Sequence, residues 1–161
     1  MTGKTHAAAG AFLGALAGKL VGEPYLGLAL GALGGLLPDV DHPGSWAGRR
    51  LRPLAVVLEA LFGHRTITHT LWFALALGAA GLFLGAPLGA VLSAPAWLCA
   101  LALFLGALSH LALDACTRSG VEPLAPFLPW HPRGPVATGG LLDYLLAAAF
   151  VLVAAGITFK F

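Results

Sequence analysis

Apolar residues are gathered into five long stretches, and most polar residues lie in the segments between them. The stretches cover about residues 7–21, 25–37, 70–86, 96–113 and 141–159. A membrane-spanning helix needs roughly 17–25 mainly apolar residues, and the second stretch reaches that length only if it begins near Val21. The pattern therefore predicts an all-α integral membrane protein, a bundle of about five transmembrane helices forming a single domain over residues 1–161.

Two longer polar segments connect these predicted helices. Segment 38–67 contains the amphipathic run LAVVLEALFG, which is typical of a short helix lying in the membrane interface. Segment 117–140 carries five prolines, so it cannot be helical throughout, and we expect it to cover part of the bundle. Pro87 is predicted to end or kink the third helix, with residues 88–92 either extending it or forming a turn.

Glycines recur at four-residue spacing in the first two stretches, at Gly10, Gly14 and Gly18 and at Gly27, Gly31 and Gly35. Small residues at this spacing let two helix backbones approach closely in lipid. Chance spacing is the alternative, because the chain contains 22 glycines.

Composition narrows the class of protein. Hydrophobic residues make up 58% of the chain and charged residues 10%, against about 45–50% and about 25% in ordinary globular proteins. These values exclude a soluble enzyme, a disordered chain and a basic-patch nucleic-acid binder, so no direct nucleic-acid partner is expected. Two cysteines are too few for a disulfide framework.

Basic residues are distributed unevenly between the two sides of the predicted bundle. With five spans, the N-terminal side carries Lys4, Arg49, Arg50, Arg52, Arg65, Arg118 and Arg133, and the other side carries Lys19 and Lys160. Because positive charge is retained inside, the N-terminus is predicted to be cytoplasmic and the C-terminus outside, in the cell (inner) membrane.

The same N-terminal side receives all six histidines and six of the seven acidic residues. Five separate segments supply them. Ionisable groups at membrane depth are costly and indicate function. The predicted metal ligands are Asp39, Asp41, His42, His64, His69, His110 and Asp114. Imidazole and carboxylate donors suit a divalent ion, Zn²⁺ in preference to Mn²⁺, with one to three ions expected.

Each of these motifs also has a structural interpretation. Residues 38–43, PDVDHP, are suited to ending a helix in a turn. His64 and His69 are alternatively an interfacial histidine pair. His110 and Asp114 share a helical face at i and i+4, where Asp114 either binds an ion or orients its own histidine. His131 and Asp143 either complete the metal site or bind substrate.

No serine nucleophile elbow, cysteine–histidine pair or phosphate-binding loop is present in the sequence. Metal-activated water is therefore the chemistry that these residue types support. His6 or one of the carboxylates is predicted to accept the proton, and Arg65 and Arg118 are predicted to bind the anionic group. Arg49, Arg50 and Arg52 would attract anionic membrane lipids.

Four motifs together resemble the YdjM-like family of inner-membrane proteins regarded as metal-dependent hydrolases. They are KTHAAAG at 4–10, PDVDHP at 38–43, HRTITHT at 64–70 and HLALDACTRSGVEPLAPF at 110–127. The chain is more distantly similar to the zinc-dependent phospholipases C and single-strand nucleases, in which a helical HxxxD motif binds zinc. In this chain that motif would be His110 and Asp114, and the resemblance implies phosphoester hydrolysis. The second, HxxxE-type pair of those enzymes has no equivalent here, which leaves the number of metal ions open.

The sequence therefore predicts a membrane-bound, metal-dependent hydrolase of a phosphoester bond in a lipid-like or otherwise amphipathic phosphorylated substrate. The alternative is a non-catalytic, metal-stabilised membrane protein that docks a cytosolic partner. A metal transporter is disfavoured, because it would need ionisable groups near the midplane or on both sides of the membrane.

Overall fold

The computed structural model describes residues 1–92 and 94–159, and this part of the chain is helical with no strand. The α-helices are α1 (Gly3–Lys19), α2 (Pro24–Leu36), α3 (Trp46–Arg50), α4 (Arg52–Phe62), α5 (Leu71–Leu92), α6 (Ala96–Ala115) and α7 (Leu141–Thr158). Each predicted apolar stretch forms one helix, and the amphipathic run forms α4. The all-helical fold class is confirmed.

Local sequence signals set several of the helix boundaries. Pro24 stands in the first turn of α2, where its fixed φ suits a helix start. Ser45 caps α3, since its hydroxyl accepts a 2.8 Å hydrogen bond from the Gly48 amide. Gly63 follows α4 at φ 77°, a conformation that favours glycine. Pro87 lies within α5, which continues to Leu92.

Helix α6 lies at the centre of the bundle, packed against α1, α2 and α5. Helix α1 also packs against α2 and α7. The glycine prediction is confirmed at the α1–α2 contact: a Cβ built on Gly14 would stand 2.0 Å from the Gly27 carbonyl oxygen. One built on Gly27 would stand 2.1 Å from the Gly14 oxygen. The two backbones are therefore in direct contact.

We expect Gly14→Ala to destabilise the protein, because the new methyl group must push α1 away from α2. Overpacking of this kind costs about 1–3 kcal/mol. The matched control is Gly156→Ala in α7, where an added Cβ meets no atom within 4 Å. Thermal unfolding in detergent measures both variants. Equal melting temperatures for the two would contradict the close α1–α2 packing.

Length and composition identify α6 and α7 as helices able to cross a membrane, within the described residues. The apolar segment Leu71–Pro87 of α5 is shorter, as are α1 with 17 residues and α2 with 13. The five predicted helices are thus present, and two of them meet the spanning criterion on their own. Lys160, used in the charge comparison, lies outside the described residues.

Segment 117–140 forms no helix and folds back on itself. The Val136 amide donates to the Cys116 carbonyl over 3.1 Å, and the Gly134 amide donates to the Thr117 carbonyl over 2.9 Å. Val121, 2% exposed, joins a core cluster with Ala74 and Leu111 of the helices behind it. The segment therefore covers the adjoining ends of α5 and α6, as its proline content predicts.

Candidate metal centre

The predicted site residues meet at one end of the bundle. The start of α1 supplies His6, and a 3-10 turn after α2 (Leu37–Asp41) supplies Asp39 and Asp41. A second 3-10 turn before α5 (Ile67–His69) supplies His69. The last turns of α6 supply His110 and Asp114. Two groups of donor atoms result.

The first group, here called the His₂Asp group, consists of Asp39, His69 and His110. The Nε2 atoms of the two histidines are 3.2 Å apart, and they lie 3.4 Å (His69) and 3.7 Å (His110) from Asp39 Oδ1. Ligands of a tetrahedral zinc ion with bonds of about 2.0–2.2 Å are separated by roughly 3.3–3.6 Å. The donor spacing therefore fits a zinc-sized ion.

His110 is fixed in the orientation that such an ion requires. Its side chain is fully buried, and its Nδ1 lies 2.8 Å from the carbonyl oxygen of Gly35 in the last turn of α2. A carbonyl only accepts hydrogen bonds, so Nδ1 carries the proton and Nε2 presents its lone pair to the group.

Asp41 lies beside the His₂Asp group and holds His69 in place. Its carboxylate accepts hydrogen bonds from the Arg65 amide at 2.9 Å and the Thr68 hydroxyl at 2.7 Å, and it pairs with His64 Nδ1 at 2.9 Å. Asp41 Oδ2 is also 3.6 Å from His69 Nδ1. A carboxylate behind a ligating histidine orients the ring and raises its basicity.

Electrostatics keep the two carboxylates ionised. Burial alone would raise the pKa of Asp39, but the His69 hydrogen bond and the nearby imidazole charges outweigh it and lower the pKa to about 2. The pKa of Asp41 is likewise lowered, because hydrogen bonds from His64 and His69 outweigh burial. Burial alone would lower the pKa of His69, yet the hydrogen bonds to Asp39 and Asp41 raise it. The carboxylates of Asp39 and Asp41 are therefore ionised and available to a cation.

The second group consists of His6, His110 and Asp114, all of them buried. His6 Nε2 is 3.2 Å from Asp114 Oδ1, and the His6 ring stacks on His110 at 3.6 Å between centroids. Neither His6 Nδ1 nor Asp114 Oδ2 has a hydrogen-bond partner among the described residues. A buried polar atom without a hydrogen bond is costly, and the charge of Asp114 Oδ2 is balanced by Arg65 Nη2 at 3.3 Å.

The two groups share His110 Nε2, and a single imidazole nitrogen binds one ion. Asp114 Oδ2 also lies 3.7 Å from that nitrogen and 3.9 Å from His69 Nε2. One ion at His110 therefore has Asp39, His69 and Asp114 as its nearest further donors. A second ion would depend on His6 and Asp114.

Arg65 adds a fixed positive charge to the site. Its Nη2 is 3.3 Å from Asp114 Oδ2, and its backbone adopts φ 65°, a left-handed conformation rare for a non-glycine residue. Such strain concentrates at functional positions. Its side chain lines a cavity of about 640 Å³ at this end of the bundle, here called the polar cavity. Lys4, Asp39, His42, Arg49 and His64 also line this cavity.

The structure does not bring every predicted site residue to the two groups. His42 is half exposed, with Nδ1 3.5 Å from Glu59 Oε1. His64 is turned to Asp41. Arg118 is exposed and donates to the Pro135 carbonyl over 3.3 Å, away from the polar cavity. His131 pairs with Glu122 on the exposed face of segment 117–140 at 3.2 Å.

Asp143, whose role the sequence leaves open, fastens α1 to the start of α7. This fully buried carboxylate accepts hydrogen bonds from the Thr2 amide at 2.9 Å, the Gly139 amide at 2.8 Å and the Thr5 hydroxyl. The contact fixes the N-terminal turn of α1 and so places His6. Sequence reasoning missed Thr5, since a threonine before a histidine carries no distinctive signal.

Comparisons with known proteins agree on one family. The model of the family described as YdjM inner membrane protein matches residues 1–160. YvsG of Bacillus subtilis (strain 168) is 35% identical over 158 residues, which cover 94% of this chain and 91% of YvsG. Inner membrane protein YdjM of Escherichia coli (strain K12) is 40% identical over 101 residues, 63% of this chain and 49% of that protein. The match thus spans about half the length of YdjM. No solved structure matches the chain.

Proposed function

The chain belongs to the family of YdjM inner membrane proteins, and from that premise we propose that it is a membrane-bound, metal-dependent hydrolase of phosphoester bonds in lipid-like substrates. The observation that carries the proposal is the His₂Asp group, whose Asp39 also lines the polar cavity. Two histidines and one carboxylate are a ligand set of catalytic zinc, with the fourth position left for water or substrate.

The roles of the residues follow from their positions. Asp39, His69 and His110 would hold the ion, and Asp41 orients His69. A divalent ion bound there supplies a nucleophilic water at neutral pH and positive charge opposite the phosphoryl oxygens. Arg65 offers a planar, permanently charged donor to the phosphate. Asp114 and His6 are paired at 3.2 Å and buried, which suits them to accept and retain a proton.

The alternative function is a non-catalytic protein whose metal is structural and which docks a cytosolic partner. Asp114 Oδ2 favours this alternative, because its distances of 3.7 Å and 3.9 Å to the two histidine nitrogens suit a fourth ligand. Four protein ligands would close the coordination of the ion, as in structural sites. Arg65 and the polar cavity support catalysis instead, since a purely structural ion requires neither.

Cobalt substitution separates the two functions. For a hydrolase, we expect inorganic phosphate to change the visible absorption spectrum of the Co²⁺-loaded protein, because the ion keeps an open position. A four-ligand structural site would give a spectrum that phosphate leaves unchanged. Arg65→Ala should weaken the phosphate response without altering the spectrum of the phosphate-free protein, since the guanidinium binds the anion and not the metal.

The membrane arrangement is part of the proposal: α1, α2, α5, α6 and α7 cross the bilayer, with the site facing the cytoplasm. This orientation rests on the excess of basic residues on the N-terminal side. A reporter enzyme that is active only outside the cytoplasm should be active when fused after residue 161 and inactive when inserted within segment 117–140. Activity in the reverse pattern would contradict the orientation, and activity at both positions or at neither would contradict the number of spans.

A further inference from the structure

An apolar groove of about 490 Å³ lies next to the candidate metal centre, between the end of α4, the start of α5 and segment 117–140. Its lining residues are Phe62, Thr66, Ile67, Thr70, Trp72, Phe73, Ala76, Ala125 and Pro126. Three of them are aromatic. None carries a charge, so a ligand in this groove is held by apolar contact.

The few polar atoms that line the groove are already satisfied within the protein. The Thr66 hydroxyl donates to the Phe62 carbonyl over 2.8 Å, and the Thr70 hydroxyl donates to the Ile67 carbonyl over 2.9 Å. The Trp72 indole donates to the Ala125 carbonyl over 3.1 Å, which fastens the far wall of the groove. The side-chain donors that line the groove are therefore engaged within the protein, and a hydrocarbon chain is the chemistry that its apolar lining fits.

One short segment connects the groove to the metal centre. His64 and Arg65 line the polar cavity, while the next two residues, Thr66 and Ile67, line the groove. The polar cavity also presents Lys4 and Arg49, so its basic side chains suit an anionic head group. A site for an anionic head group and a site for a hydrocarbon chain thus lie on either side of the same segment.

We propose that the groove binds one acyl chain of an amphipathic phosphoester whose head group occupies the polar cavity. For the position of the head group, the proposal rests on the phosphoesterase function proposed above. It narrows the substrate class to a lipid with a phosphate close to its hydrocarbon chain. A spacer of several sugar units between phosphate and chain would be too long, because consecutive residues, Arg65 and Thr66, line the cavity and the groove.

A photoactivatable lipid tests the groove without requiring turnover. The probe is phosphatidic acid with a diazirine at the end of one acyl chain, added to the full-length protein in lipid nanodiscs. Mass spectrometry then locates the label. In the wild-type protein we expect label concentrated on groove residues such as Phe62, Ile67 and Phe73, above the level on the lipid-exposed residues of α7. Label spread evenly over all exposed apolar residues would overturn the proposal.

Two matched substitutions on α5 provide the control. Ala76 lines the groove, whereas Ala80, one turn further along, does not, and both side chains are exposed. Each buried methylene contributes about fourfold to affinity, so displacing two of them by Ala76→Trp should reduce groove labelling about 15-fold. Ala80→Trp should leave the labelling unchanged. Equal labelling in both variants, at unchanged metal content, would overturn the proposal.

Further arms distinguish this inference from the proposed hydrolase activity. Labelling of the groove should persist after the metal is removed with a chelator, because the bound acyl chain contacts no metal ligand. The same diazirine on diacylglycerol, which lacks the phosphate, should label the groove less. If the groove is labelled but the protein has no phosphoesterase activity, the lipid-binding site is supported and the proposed hydrolase function is refuted. Cross-links to a second copy of the chain would instead identify the groove as a subunit contact and overturn the lipid site.

Discussion

Asp39→Asn should reduce zinc affinity roughly 100-fold, since four-ligand zinc sites bind with about 10–16 kcal/mol, or about 3 kcal/mol for each ligand. The substitution keeps the size of the side chain and removes the charge that faces the ion. Asp41→Asn should cost less, about 10-fold, at the lower end of the range for residues that support a ligand, because Asp41 orients His69 and is not itself in the His₂Asp group. Metal content after dialysis against a graded series of zinc buffers measures both effects.

His42→Ala provides the control for this series. His42 belongs to the same PDVDHP motif but is half exposed and turned to Glu59, so we expect its loss to leave zinc affinity unchanged. If His42→Ala released zinc as readily as Asp39→Asn, the ion would lie in the polar cavity and not in the His₂Asp group. A wild-type protein that binds neither zinc nor manganese would refute the metal centre altogether.

The pair on α6 shows what helical spacing alone can establish. His110 and Asp114 are four residues apart in an apolar helix, so the sequence predicts that they share a face. In the structure both are fully buried, and His110 Nε2 lies 3.7 Å from Asp114 Oδ2. Prediction works here because the 3.6-residue period fixes the direction of both side chains whatever the helix packs against.

The PDVDHP motif shows where such reasoning ends. Asp39, Asp41 and His42 lie in or directly after a 3-10 turn, so neighbouring residues point in different directions. Asp39 reaches the His₂Asp group, Asp41 accepts from the backbone at Arg65, and His42 turns outward. Residue types identify all three as donors, but only the path of the turn, which depends on tertiary contacts, separates their roles.

His6 depends on packing that no local pattern reveals. Asp143 fastens the N-terminal turn of α1 through Thr2 and Thr5, across more than 130 residues of sequence. The position of His6 thus follows from the contact between α1 and α7. The sequence predicts that His6 lies on the same side of the membrane as the other histidines, and the structure shows it stacked on His110.

Arg65→Ala should lower kcat/KM for a phosphoester about 10²–10³-fold while metal content stays intact. Removal of one preorganised donor to a developing negative charge has an effect of that size. Arg65 is not a metal donor, although its Nη2 contacts Asp114 Oδ2 at 3.3 Å, so its loss should leave zinc binding intact. Turnover of phosphomonoesters and phospholipids, measured beside zinc content, tests both statements. Arg65→Lys should restore part of the activity, because a lysine keeps the charge but loses the planar, two-pronged donor.

Arg118→Ala is the informative comparison, because the sequence assigns both arginines the same role of binding the anion. In the structure Arg118 is exposed and its Nε donates to the Pro135 carbonyl within segment 117–140. We therefore expect Arg118→Ala to change kcat/KM by less than about threefold, corresponding to the few tenths of a kcal/mol typical of surface substitutions. Equal losses in the two variants would show that segment 117–140 moves over the polar cavity when substrate binds. Loss in Arg118→Ala alone would mean that the anion binds on the outer side of the segment, away from the His₂Asp group.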